Sequence, residues 1–315
     1  MSTRTDIWRG PVKMTFGGQT FYSKGDVNLV HSQQWFPVGS SRHGVLDYRS
    51  GVTMDTIEFT PDGRFVAAAL STINPWRTKM PGESVFGTDS PLVLYSVDGS
   101  RKRTYKAAAV TKAPDLNLTR RETMFGSMQF TCIYGEDAAV TDADALFTDA
   151  TQSYPGDSGY DPAAILTQVY ALAYGATSPF DSFHSQDGVK ITFKAAISPE
   201  ENERKGICDY TFQGLEVSAT LKPEGPTPAE VLALLNLQGS GSGMGRSLNA
   251  AADDRDLVIT GSGFYFSLNK PGLTADKEIF SNRLRRMGEV EFRATRTLTS
   301  GALDPLFYIG AAAPA

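Results

Sequence analysis

Gly44-Val45-Leu46-Asp47-Tyr48 returns 162 residues later as Gly206-Ile207-Cys208-Asp209-Tyr210, and that recurrence decides the expected architecture. Each copy is followed at the same distance by a Pro-acid-Gly turn, Pro61-Asp62-Gly63 and Pro223-Glu224-Gly225. Phe125-Gly126-Ser127-Met128-Gln129-Phe130 answers Met287-Gly288-Glu289-Val290-Glu291-Phe292 at the same offset. Pro91-Leu92-Val93-Leu94 answers Asp256-Leu257-Val258-Ile259 at 165, and Lys13-Met14-Thr15-Phe16 answers Lys190-Ile191-Thr192-Phe193 at 177. Five matches in one order at nearly constant spacing mark a repeated unit. The alignment gives the first copy fifteen extra residues (177 against 162) between its first strand and its Asp-Tyr motif. The expected organisation is a first unit over 10–134, a connecting strap over 135–185, a second unit over 186–300 and a tail over 301–315.

The units read as β. Leu215, Val217, Ala219 and Leu221 alternate with Glu216, Ser218, Thr220 and Lys222, a strand with one buried face. Val52 to Thr60 keeps the β-branched enrichment but slips between Met54 and Ile57, which predicts a bulge. A short helix follows each Pro-acid-Gly turn. Thr227-Pro228-Ala229-Glu230 is a capping box leading into Val231–Leu235, and Phe65–Leu70 holds the equivalent place. Leu92–Ser96 turns at Asp98-Gly99 and returns through Thr104-Tyr105-Lys106; Gly261-Ser262-Gly263 makes the same reversal into Phe264–Phe266. In the strap, Asp161 caps and Pro162 starts a helix near 162–174, with Ile165, Val169 and Leu172 on one face and Gly175 as its stop.

Composition bounds the function. At roughly 100–200 residues per domain, 315 residues predict two domains. Thirty basic against thirty-five acidic residues give a charge of -5, the wrong balance for a grip on duplex DNA. No segment has the apolar length of a membrane span or a secretory signal, so the chain is expected to fold in a cytosol with no membrane partner. Cys132 and Cys208 share no short spacing and read as reduced, buried thiols. His31, His43 and His184 have no His or Cys at ligand spacing, so no metal is expected. Gly239–Gly245 lacks the Lys-Ser/Thr ending of a phosphate loop, and no Gly-x-Ser-x-Gly elbow occurs. Asp253-Asp254 and Glu289/Glu291 read as solvated acids. Arg101-Lys102-Arg103 and Arg283–Arg286 read as charges that guard strand edges. No catalytic residue, cofactor or enzymatic activity is expected.

Ala107-Ala108-Ala109-Val110-Thr111-Lys112-Ala113-Pro114-Asp115-Leu116, followed by Phe125-Gly126-x-x-x-Phe130, resembles the end of a tail tube protein of long-tailed bacteriophages (siphophages). The twice-seen Gly-x-x-Asp-Tyr strand opening does so too. The resemblance implies two tandem tube-like β-sandwich or barrel domains, each with a flanking helix, whose sheets join between neighbours into a ring. It further implies a structural virion protein, assembled in the bacterial host cytoplasm, whose stacked rings form the hollow tail tube. Its partners would be itself, the tape measure protein and genomic DNA in the lumen, and the tail terminator and distal tail proteins. Two domains per chain imply a homotrimer with a pseudo-sixfold ring. An acidic lumen would repel phosphate and let DNA pass during ejection. In the family, the loop between early strands reaches the next ring. Trp35 and Phe36, in the apparent insertion, are therefore the expected stacking contacts, with Trp76 a third. A distal tail or baseplate hub protein with two tube domains is the nearest alternative, and a carbohydrate- or receptor-binding β-sandwich is the alternative of another class.

Overall fold

Alternation of buried and exposed side chains governs most of the chain, and the computed structural model is mainly β, built of small antiparallel sheets. It describes residues 11–86, 91–96, 100–119, 123–133, 146–151, 170–176, 180–202, 206–224, 226–227, 255–261, 263–274, 280–281, 286–287, 289–294, 298–299, 302–303, 305–310 and 312–314. The first half holds β1 (Lys13–Phe16), β2 (Gln19–Tyr22), β3 (Asn28–Ser40), β4 (Gly44–Phe59), helix α1 (Val66–Ser71) and β5 (Leu92–Tyr95). It continues through β6 (Arg101–Tyr105), β7 (Ala107–Lys112), β8 (Leu116–Leu118), β9 (Thr123–Phe125), β10 (Met128–Ile133) and β11 (Phe147–Thr151). The second half holds β12 (Ala171–Tyr174), β13 (His184–Asn202), β14 (Gly206–Glu224), β15 (Leu257–Gly261), β16 (Phe264–Leu268) and β17 (Gly272–Thr274). There follow β18 (Phe280–Ser281), β19 (Arg286–Met287), β20 (Val290–Arg293), β21 (Leu298–Thr299), β22 (Ala302–Leu303) and β23 (Phe307–Gly310).

The sheets of the two halves run in matching order. One sheet of the first half is β11-β6-β5-β1-β2, and its counterpart is β23-β16-β15-β12. The other is β3-β4-β10-β7, and its counterpart β13-β14-β20-β17 continues past β13 into β8 and β9 of the first half. Aromatic rings bridge the facing sheets in each half. Phe16 meets Phe130 edge-on at 4.9 Å, and Phe193 meets Phe307 at 5.5 Å.

Register corrects the alignment upstream of the Asp-Tyr motif. Leu29 faces Ile57 and His31 faces Asp55; Ile191 faces Ala219 and Phe193 faces Val217. Every one of these positions is 162 from its counterpart. The hairpin turns at Ser40/Gly44 and Asn202/Gly206 keep the same offset. Lys190–Phe193 therefore answers residues 28–31, and the strand that takes the place of β1 is β12, since β1 pairs with β5 as β12 pairs with β15. The fifteen extra residues vanish, because residues 28–40 are not an inserted loop but a strand matched by 190–202. A Lys-x-Thr-Phe string suits any strand of that alternation and so could not fix which strand was which.

Other expectations shift as well. No bulge separates Met54 from Ile57, which pair regularly with Ser32 and Leu29. The inward position there is held by Asp55, a residue whose charge disguised the alternation. The stretch 135–185 supplies β11 to one half and β12 to the other rather than standing apart as a strap. The helix expected near 162–174 falls largely outside the described residues. Its final turn is strand β12, where Leu172 and Tyr174 are buried and alternate with Ala171 and Ala173. The C-terminal stretch contributes β23, with Phe307 and Ile309 buried. Helix α1 lies where one was expected, whereas Val231–Leu235, Gly239–Gly245 and Asp253-Asp254 lie outside the described residues.

Candidate assembly surface

The hairpin of β3 and β4 is long, strands of thirteen and sixteen residues meeting around a tight turn whose Gly44 has φ +72°. Its base belongs to the core through Ile57 and Phe59. Among the described residues, Val30, Trp35, Val38, Val45, Leu46 and Tyr48 are large apolar side chains left exposed, and all six are on this arm; Met80 is the other such residue. Trp35 is 56% exposed. Phe36 is on the same strand, opposite Arg49, with its side chain outside the described ones. Exposed apolar surface gathered on one element marks an interaction site rather than ordinary surface.

Trp76 is placed differently. It sits in a short 3-10 turn, Asn74–Arg77, at 3% exposure, with its ring 6.5 Å from Phe212 of the second half. The stacking contact expected of it is instead a contact inside the chain. The loop that follows lies along β14: Gly82 N donates to Phe212 O (2.8 Å), Phe212 N to Glu83 O (2.8 Å) and Val85 N to Tyr210 O (2.7 Å). Ser84 Oγ donates to Asp209 Oδ1 at 2.8 Å, and Phe86 stacks on Tyr210 at 6.1 Å. Burial beneath this loop, with Glu201 adding to it, pushes the Tyr210 phenol above its usual value. The Asp209-Tyr210 motif thus works as the seat of a neighbouring loop. Nearby, β8 extends the second half's sheet, with Leu116 opposite Ile191, Asn117 opposite Lys190 and Leu118 opposite Val189.

The histidines and acids come together only once among the described residues. His31 Nδ1 lies 2.6 Å from Asp55 Oδ1, and the Tyr105 hydroxyl donates to Asp55 Oδ2 at 2.8 Å. Asp55 is fully buried, so the three side chains tie β3, β4 and β6 across both sheets. Burial, with the Asp55 charge beside it, holds the Tyr105 phenol far above its usual value, and burial likewise raises the Cys132 thiol. A nucleophile in that setting is kept protonated and inert. Spacing could not have found the trio, because its members are 24 and 50 residues apart. The available signal was an acid standing in the inward phase with Ile57 and Phe59.

His43 is in the exposed turn with Ser40, and His184 opens β13. Arg103 is engaged by Asp149 at 2.7 and 2.8 Å and lies over the Phe147 ring, so the edge strand β11 holds that one member of the basic cluster, while Arg101 stays exposed. Among the described residues, no group of three His, Cys, Asp or Glu is placed to hold a metal, and both cysteines are free and buried. None of the described helices is long and apolar enough to cross a membrane. No protein-family model matches the chain, and no curated protein matches it.

Proposed function

We propose that the chain is the structural subunit of a long-tailed bacteriophage tail tube. Three copies, each contributing two like units, close a pseudo-sixfold ring whose sheets join between neighbours. Rings stack into a hollow tube that carries the tape measure protein during assembly and DNA at ejection, bounded by the tail terminator and the distal tail proteins. The observation that carries the reading is the β3–β4 arm, which holds six of the seven large apolar side chains left exposed among the described residues. An arm of that kind fits repeated contact between copies and fits poorly with life as a monomer. The matching strand orders of the two halves support two like units per chain.

Light scattering followed by negative-stain imaging of the purified protein tests the reading. Rings of three chains and tubes built from them are expected; a monomer at high concentration with no tubes would overturn it. Trp35→Ser with Phe36→Ser should leave rings intact and abolish stacking. Tubes of normal length from that variant would remove both aromatics from the stacking contact.

A further inference from the structure

The two halves of the chain touch through a contact of which each half displays a different side. The first half donates: β8 pairs along β13, and the loop 79–86 lies on the outer part of β14. The second half receives. The receiving surface has a twin in the first half, because β3 and β4 occupy the places of β13 and β14 at a constant offset of 162. In the second half that surface is covered; Cys208 is 8% exposed, and Tyr210 carries Phe86 and the Val85 amide. In the first half it is bare. Leu46 and Tyr48, the counterparts of Cys208 and Tyr210, are 64% and 58% exposed, and no described strand lies along the outer edge of β3.

The donating side has a twin too. Hairpin β18–β19 falls between β17 and β20, as hairpin β8–β9 falls between β7 and β10. Phe280 faces Met287 within its hairpin, as Leu116 faces Phe125 within the other, and Met287 is 162 residues after Phe125. An edge along which no described strand lies and a short hairpin that pairs with no other described strand are complementary, and a second copy supplies both. A contact in which one face meets a different face repeats head to tail, and it closes when the rotation allows.

We propose that β18 of one copy pairs with the outer edge of β3 in the next, placing Phe280 opposite Leu29 and Ser281 opposite Asn28. The register follows from the internal junction, where Leu116 faces Ile191 and Asn117 faces Lys190, the counterparts of Leu29 and Asn28. The proposal rests on the self-assembly reading and specifies the strand, the edge and the register by which neighbours within a ring are joined.

Directly opposed residues of an antiparallel pair are about 4.5–5.5 Å apart at Cα, within disulfide range. The full-length double variant Asn28→Cys/Ser281→Cys, oxidised and run without reductant, should give a ladder of covalent oligomers ending at three chains. Asn117→Cys/Lys190→Cys is the control and should close within one chain, without a ladder. Only monomer, a link confined to one chain, or a ladder that does not stop at three would overturn the junction as stated. Tubes from the wild type without the crosslink would place the contact elsewhere and leave the tube reading standing. Crosslinked rings that never stack would keep the junction and overturn the tube.

Discussion

Asp55 is a charged residue at an inward position, where the second half has Val217. Its companions differ in step: His31 answers Phe193, and Tyr105 answers Leu268, each at the same place in its pairing. One half fills this layer with a hydrogen-bonded trio whose imidazole is half exposed, and the other with apolar side chains, so the fold accepts both solutions. Removing only the acid takes from the buried Tyr105 hydroxyl its acceptor, which costs roughly 1–3 kcal/mol. Replacing a whole buried polar group by apolar side chains of similar volume is often neutral or stabilising. Asp55→Val should therefore lower the unfolding free energy by about 1–3 kcal/mol in urea titration. The triple variant His31→Phe/Asp55→Val/Tyr105→Leu should recover most of that loss. A triple variant as unstable as the single one would show that the trio is not interchangeable with the apolar layer.

At the scale of elements, the junction of β8 with β13 depends on one glycine. Gly188 precedes the paired residues Val189–Ile191, has φ +88°, and a Cβ there would run into the Leu118 carbonyl and the Thr119 backbone. Left-handed geometry alone costs a substituted residue roughly 1–2 kcal/mol. Gly188→Ala should therefore speed amide hydrogen exchange at residues 116–118 and 189–191 ahead of the rest of the sheet, and uniform protection would refute the assignment. The sequence exposed the repeat because Pro-acid-Gly turns and a Gly-x-x-x-Phe pattern, Gly126–Phe130 and Gly288–Phe292, occur at fixed points of each half. It concealed the β3–β4 arm, because Trp35, Pro37, Gly39 and Ser40 look like loop residues until the partner strand is known. Trp76 carried no sign of whether its ring faced outward, since the Phe212 it packs on lies in the other half. Spacing in one chain reports alternation well and reports the partner strand poorly.

At the scale of the whole molecule, the proposed tube makes charge the property that decides between holding DNA and letting it pass. The chain carries -5 overall. Of the basic cluster Arg101-Lys102-Arg103, Arg103 is bound to Asp149 and spread over Phe147. A surface that grips duplex DNA releases counterions, and its affinity falls steeply with salt. An acidic wall instead keeps phosphates at a distance of about a Debye length, roughly 10 Å at 0.1 M salt. Assembled protein mixed with duplex DNA at about 50 mM salt, a concentration at which phosphate contacts still bind tightly, should leave the DNA's electrophoretic mobility unchanged. Replacing a set of acidic residues by lysine until the net charge turns positive should produce retention that disappears as salt is raised. Salt-sensitive retention by the wild type would mean that a local basic surface outweighs the net charge, and such a protein would hold DNA rather than conduct it.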